Sequence, residues 1–161
     1  MSDELIQWKV DTSAVEGYLP AKGDAVVAAL MERTNAVNLK LQAKILGKLE
    51  GDPIKSHTHK LSGSVRVIPT TNDGAKINGG VQAGGGPAFY AKFLEDGTQP
   101  HVIMPKDPKG VLAFMIAGQM VFRKKVMHPG NKPYLFMKGT LAENKENIVA
   151  SLQSAVVEAV K

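Results

Sequence analysis

Four histidines, at positions 57, 59, 101 and 128, and no cysteine set narrow bounds on metal or nucleophile chemistry in this chain. His57 and His59 lie two apart, so a strand would present both imidazoles on one face. Zinc sites are built from three or four such ligands. No third ligand stands near the pair and there is no HExxH helix, so solvated loop histidines are expected, with His101 or His128 able to join them only through the fold. Ser62, Ser64, Glu95 and His128 include a nucleophile, an acid and a base, yet neither serine lies in the G-x-S-x-G turn of the hydrolases. Glu95 and Asp96 are adjacent carboxylates, and adjacent side chains on a helix point about 100° apart, so a helix cap or a surface ion pair is expected rather than shared acid–base work. The run Gly84-Gly85-Gly86 lacks the Lys-Ser or Lys-Thr pair that completes a phosphate loop and reads as a strand exit. No catalytic residue, cofactor or metal site is expected.

Positive charge is the other candidate for chemistry. The net charge is +5 and the pI near 9.4. Residues 1 to 55 hold seven basic and eight acidic side chains, residues 56 to 138 hold eleven and four, and residues 139 to 161 hold two and three. The excess therefore lies in the middle segment, where Lys106, Lys109, Arg123, Lys124 and Lys125 are the candidate contacts for a polyanion or an acidic partner. Aromatic residues make up only 6% and there is neither an RNA-binding strand signature nor a zinc finger, so sequence-specific nucleic-acid recognition is not expected.

The elements that must position these residues follow from hydrophobic periodicity. Ile6, Trp8 and Val10 alternate with polar neighbours as in a half-buried strand, with Trp8 in the core and Asp11-Thr12-Ser13 capping a short helical turn. Val27, Leu30, Val37, Leu41, Ile45 and Leu49 recur at helical spacing, predicting one long amphipathic helix from Gly23 to Leu49 that stops at Gly51-Asp52-Pro53. Val65 and Val67, the turn signal Asn72-Asp73-Gly74, and the run from Ile77 to Val81 predict a β-hairpin. AFYAKFLEDGT fits either a short helix or a strand end, stopped at Asp96-Gly97, and residues 98 to 110, rich in proline, read as an exposed arm or loop. VLAFMIA reads as a buried apolar run, followed by a turn at Gly118-Gln119. In MVFRKKVMH one strand would place Val121, Arg123 and Lys125 opposite Phe122, Lys124 and Val126. Leu141, Ile148, Leu152, Val156 and Val160 predict a C-terminal helix. The expected fold is a single α+β domain over 1–161, a largely antiparallel sheet with a long N-terminal helix and a C-terminal helix packed on it. No run approaches the roughly 20 apolar residues of a membrane span and none suits a signal peptide, so neither membrane insertion nor export is expected.

Taken together, LSGSVRV, FYAKFLEDGT, HVIMPK, VLAF and VFRKKVMHPGNKPYLF, followed by a helix, form a series that resembles the tail-completion, or head-tail joining, family of minor tail proteins of long-tailed bacteriophages. The matching positions are Leu61, Gly63, Ser64 and Arg66; Tyr90, Ala91, Glu95, Gly97 and Thr98; His101 and Pro105; Leu112 and Phe114; and His128, Pro129, Gly130, Pro133 and Phe136. Lys60-Leu61-Ser62-Gly63 stands where the family more often has Thr-Gly ahead of the leucine, and Tyr134-Leu135-Phe136 replaces its Pro-Phe ending. The resemblance implies a non-enzymatic virion protein of the tail or neck, made in the bacterial host cytoplasm and acting through a homo-oligomer ring. Its implied partners are phage tail and head-connector proteins, with only nonspecific proximity to packaged DNA. The alternative carried by the charge is a basic nucleic-acid-binding domain of low sequence specificity.

Overall fold

The computed structural model describes residues 6–9, 23–51, 54, 58–74 and 76–161. Its elements are β1 (Ile6–Lys9), α1 (Gly23–Glu50), β2 (Arg66–Asn72), β3 (Ile77–Ala83), α2 (Ala91–Asp96), β4 (His101–Ile103), β5 (Leu112–Ile116), β6 (Gln119–Arg123), β7 (Val126–His128) and α3 (Lys138–Val160). This is the α+β architecture expected, with both long helices and only antiparallel pairing among the described strands. Strand β1 forms where the alternation predicts it. Val10, the predicted turn at Asp11-Thr12-Ser13 and the side chain of Trp8 lie outside the described residues, as do Asp52 and Pro53 beyond the end of α1.

Helix α1 buries Val26, Leu30, Thr34, Val37, Asn38, Leu41, Ile45 and Leu49. This stripe, spaced mostly by three and four, explains why a gap separates Leu30 from Val37 in the apolar pattern: polar Thr34 occupies the intervening core position, and polar Asn38 is buried beside Val37. Val26 rather than Val27 is its fully buried first member, Val27 being half-buried beside it. Helix α3 runs antiparallel to α1, because Arg33 pairs with Glu158 at 2.9 Å while Lys48 pairs with Glu143 at 2.7 Å and Lys44 donates to Asn144. The two ion pairs are exposed and contribute little each. The apolar seam of Val37, Leu41, Ile45, Ile148, Leu152 and Val156 carries the association.

Beneath α1 lies a three-stranded sheet in the order β1-β3-β2, while α3 packs on α1 and not, as expected from the sequence, directly on the sheet. The central strand β3 is buried along almost its whole length, with Val81 paired to Trp8 on one side and Val67 on the other. Two consecutive glycines, Gly79 and Gly80, sit in that strand, and both are buried. A Cβ on Gly79 would meet Thr70 Oγ1 at 2.8 Å and Asn38 Nδ2 at 3.0 Å, so the missing side chain is what lets α1 approach the sheet. The β2–β3 turn closes as its Asn-Asp-Gly signal predicts: Gly74 has φ 89° and its N–H donates to Asn72 Oδ1 at 2.9 Å.

The remaining strands pair antiparallel as well, but outside this sheet. β4 pairs with β7 and β5 with β6, as two separate two-stranded ribbons. The registers Ile103↔Val126 and Leu112↔Arg123, with Thr98↔Asn131 at the base, make them one interrupted hairpin. The exposed arm is thus residues 98–131, and the predicted loop 98–110 is one of its two sides. The predicted single strand MVFRKKVMH is broken at Lys124-Lys125 because two residues there oppose the longer stretch 104–111, in which Pro105 and Pro108 offer no N–H to a ladder. The turn is Ala117-Gly118, not Gly118-Gln119, with φ values of 48° and 82°. Two left-handed residues match the twist of a two-residue hairpin. The run VLAFMIA is not buried: Val111, Met115 and Ile116 are each more than half exposed.

Replacing Gly79 by Ala should destabilise the fold by about 1–3 kcal/mol through overpacking of α1 against β3. Urea unfolding of the two proteins under identical conditions measures this, and an unchanged midpoint would refute the close approach.

Candidate assembly interface

Ten motif residues fall into two groups when placed on the fold. Leu61, Gly63 and Ser64 form the approach to β2. Leu61 is buried in the core, and Ser62–Ser64 make a turn of 3-10 helix. The Ser64 hydroxyl donates to the Leu61 carbonyl at 2.6 Å and accepts the N–H of Gly84 at 3.0 Å, tying the start of β2 to the end of β3. Gly63 is exposed and open on its Cα, with no contact that a methyl group would meet.

The second group is the base of the arm. Tyr90 ends the short helical turn before α2, its carbonyl accepting the N–H groups of Phe93 at 3.0 Å and Leu94 at 3.2 Å. Glu95, on α2, is 1% exposed. Its carboxylate accepts the backbone N–H of Met137 at 2.9 Å and of Lys138 at 2.7 Å. Those are free donors at the start of α3, where neither Met137 nor any neighbour supplies a side-chain cap, and the negative charge also lies at the positive end of the helix dipole. A buried carboxylate is costly unless hydrogen-bonded, and here both oxygens are engaged. Asp96 pairs with the Lys138 ammonium, and that hydrogen bond, reinforced by the charges of Asp96 and Glu95, raises the Lys138 pKa above its ordinary value. The sequence expectation of a cap or a surface ion pair thus holds on both counts, one carboxylate to each.

Gly97 follows at φ 73° and turns the chain out of α2. Thr98 then exchanges two backbone hydrogen bonds with Asn131, at 3.0 and 3.1 Å, and its hydroxyl accepts the Asn131 N–H at 2.9 Å. Opposite, Gly130 has φ 83°, and a Cβ there would lie 2.1 Å from the Thr98 carbonyl oxygen, a contact no side chain can make. Its N–H donates to His128 Nδ1 at 3.1 Å across Pro129. His128 faces His101 in the ladder with the rings stacked, centroids 5.0 Å apart. His-Pro-Gly and Glu-x-Gly-Thr, 33 residues apart at Thr98 and Asn131, are therefore two halves of one clasp.

The basic candidates converge by topology at the arm's midpoint. Lys106 and Lys109 lie in the 104–111 loop, where Asp107 organises a turn by accepting the Lys109 N–H at 2.9 Å. Arg123, Lys124 and Lys125 occupy the facing side, all exposed. Among the described residues, nine of the seventeen large hydrophobic side chains left exposed lie between Val102 and Met127. Residues 110 to 122 carry no charge. This apolar surface was missed because strict strand alternation, the cue for one dry and one wet face, is absent from VLAFMIAGQMVF.

The hydrolase-like set does not assemble. Ser62 donates to the His59 carbonyl at 3.2 Å, Ser64 and Glu95 are engaged as above, and no hydrogen bond joins any two of Ser62, Ser64, Glu95 and His128. His57 lies outside the described residues, and among those described no group of three or more histidine or acidic side chains is placed to hold a metal. No helix among the described residues is long and apolar enough to cross a membrane. No family model matches the chain, and no curated protein or solved structure is significantly similar to it.

Glu95→Gln keeps the shape but turns an amide N–H toward one of the two backbone donors. It should cost about 1–3 kcal/mol of stability, a buried donor losing its partner, read as a lowered midpoint in thermal and urea unfolding. Equal midpoints would show that the carboxylate does not anchor α3.

Proposed function

We propose that this chain is a bacteriophage structural protein of the tail-completion or head-tail joining kind, working in the virion neck or tail as a homo-oligomeric ring. The observation that carries the reading is the arm. An isolated two-stranded ribbon is marginal in water. This one has large apolar side chains exposed over its length, and each ribbon makes its contacts chiefly within itself rather than with the core. A surface of that kind belongs in an interface. The motif order adds to this, since seven of the ten motif residues lie at the arm's base. Phage tail and head-connector proteins are the partners this reading implies, after synthesis in the host cytoplasm.

The purified chain should show by light scattering behind a sizing column a mass several times 17.2 kDa that reaches a plateau with concentration. Met115→Ser with Met120→Ser should return it to the monomer without moving the thermal midpoint. A wild-type chain that stays monomeric would refute the ring.

A second reading rests on the five basic side chains gathered at the arm's midpoint: contact with DNA of any sequence. If the three residues 123–125 each neutralise a phosphate, the log–log dependence of duplex affinity on salt should have a slope near −3. Arg123→Glu, Lys124→Glu and Lys125→Glu together should abolish it. An affinity indifferent to salt would dismiss this reading.

A further inference from the structure

A ring of identical subunits needs two different, mutually complementary surfaces on each chain, and the molecule carries a second exposed apolar surface besides the arm. It surrounds α2. Phe89 and Phe93, four residues apart, are 66% and 52% exposed. The chain that returns from the arm lies beside them, since Tyr134 and Leu135 donate their N–H groups to the carbonyls of Leu94 and Glu95 at 2.9 and 3.3 Å. Leu135 is the unusual member. Its φ is 51°, in the left-handed region that a branched side chain avoids, and its side chain is nevertheless 42% exposed. Glycine would hold that backbone with less strain, and the exposed part of the leucine side chain gains nothing from water. Strain retained at an exposed position points to a contact outside the chain.

The two surfaces are chemically matched. The arm's exposed apolar residues include Met104, Met115, Met120 and Met127, four of the chain's seven methionines. Thioethers adapt to irregular surfaces and favour aromatic ring edges. The other surface supplies aromatic rings. Neither the tip, residues 110–122, nor Phe89 and Phe93 themselves bring a charge that would have to be desolvated. At about 200 Å² for a large apolar side chain, half exposure leaves on the order of 300 Å² uncovered on Met115, Met120 and Phe122 together and a similar area on Phe89, Phe93 and Leu135, so these two apolar patches form the centre of the contact and the rest of the roughly 800 Å² that each partner gives to a standard interface comes from the residues around them.

We propose that the tip of the arm, through Met115, Met120 and Phe122, seats on the surface formed by Phe89, Phe93 and Leu135 of the next copy of the chain. The contact is heterologous, and its repetition builds a ring when the rotation from one copy to the next closes. The assignment rests on the joining reading and deepens it by naming both sides of the contact.

The absence of cysteine makes the test direct. Met120→Cys and Phe93→Cys are introduced singly and together, and the full chain is oxidised at a concentration where wild type self-associates. The double variant should give a ladder of disulfide-linked multimers up to the size of the native oligomer. Each single variant should stay uncrosslinked, and an equal mixture of the two should stop at dimers. Leu135→Ser with Phe93→Ser should weaken self-association at least tenfold with an unchanged circular dichroism spectrum and thermal midpoint, which separates docking from folding. An oligomer that yields no ladder and persists in the serine variant overturns this contact while leaving the joining reading in place. Efficient dimers from Met120→Cys alone overturn it in favour of a tip-to-tip contact. A wild-type chain that is monomeric at every concentration removes both.

Discussion

One buried carboxylate ties the root of the arm to the head of α3. Glu95 sits on a six-residue helix too short to be stable alone, and it satisfies two backbone donors at the head of the 23-residue α3. Because the arm leaves the core immediately after Glu95 and re-enters immediately before Met137, the same contact also brings the two ends of the arm side by side. Chain closure over residues 96 to 136 is thereby enforced at one point. The start of a long helix, the docking of a short one and the root of a projecting hairpin all depend on it.

A clasp of this kind lets the distal part be poorly covered. Gly97, Gly130 and Thr98 make a backbone-to-backbone contact in which there is no room for a side chain, so the arm's root is defined even though its tip makes no core contact of consequence. The core proper is separate. There α1 lies between α3 and a three-stranded sheet, held by the α1 and α3 stripes and by the glycine pair of β3. The residues that hold the core and those left exposed at the arm's tip are therefore different, which is what allows tip and core substitutions to be told apart.

Long periodic segments were fully legible in the sequence. The α1 and α3 stripes and the Asn-Asp-Gly turn with the hairpin around it follow from local spacing, because helix and turn geometry are short-range properties, whereas which helix Glu95 caps, 42 residues away, was settled by the tertiary fold. The motif residues were legible as a set, but not their division into a β2 lock and an arm clasp. Thr34 and Asn38 were invisible as core positions, since a polar residue buried against a glycine leaves no apolar signal.

Two features were settled only by tertiary structure, and for the same physical reason. Whether VLAFMIA was buried depended on whether any layer would cover it, and whether MVFRKKVMH was one strand depended on which residues stood opposite. Pairing partners and covering layers lie far along the chain, and apolar composition is the same for a core strand and an uncovered one. By itself the sequence determined the α+β class, the two long helices, the absence of thiol chemistry and the concentration of positive charge between residues 56 and 138. Only the fold decided that this charge gathers at the midpoint of one arm and that the apolar run beyond it faces outward, because both depend on cross-strand register, which no local pattern encodes.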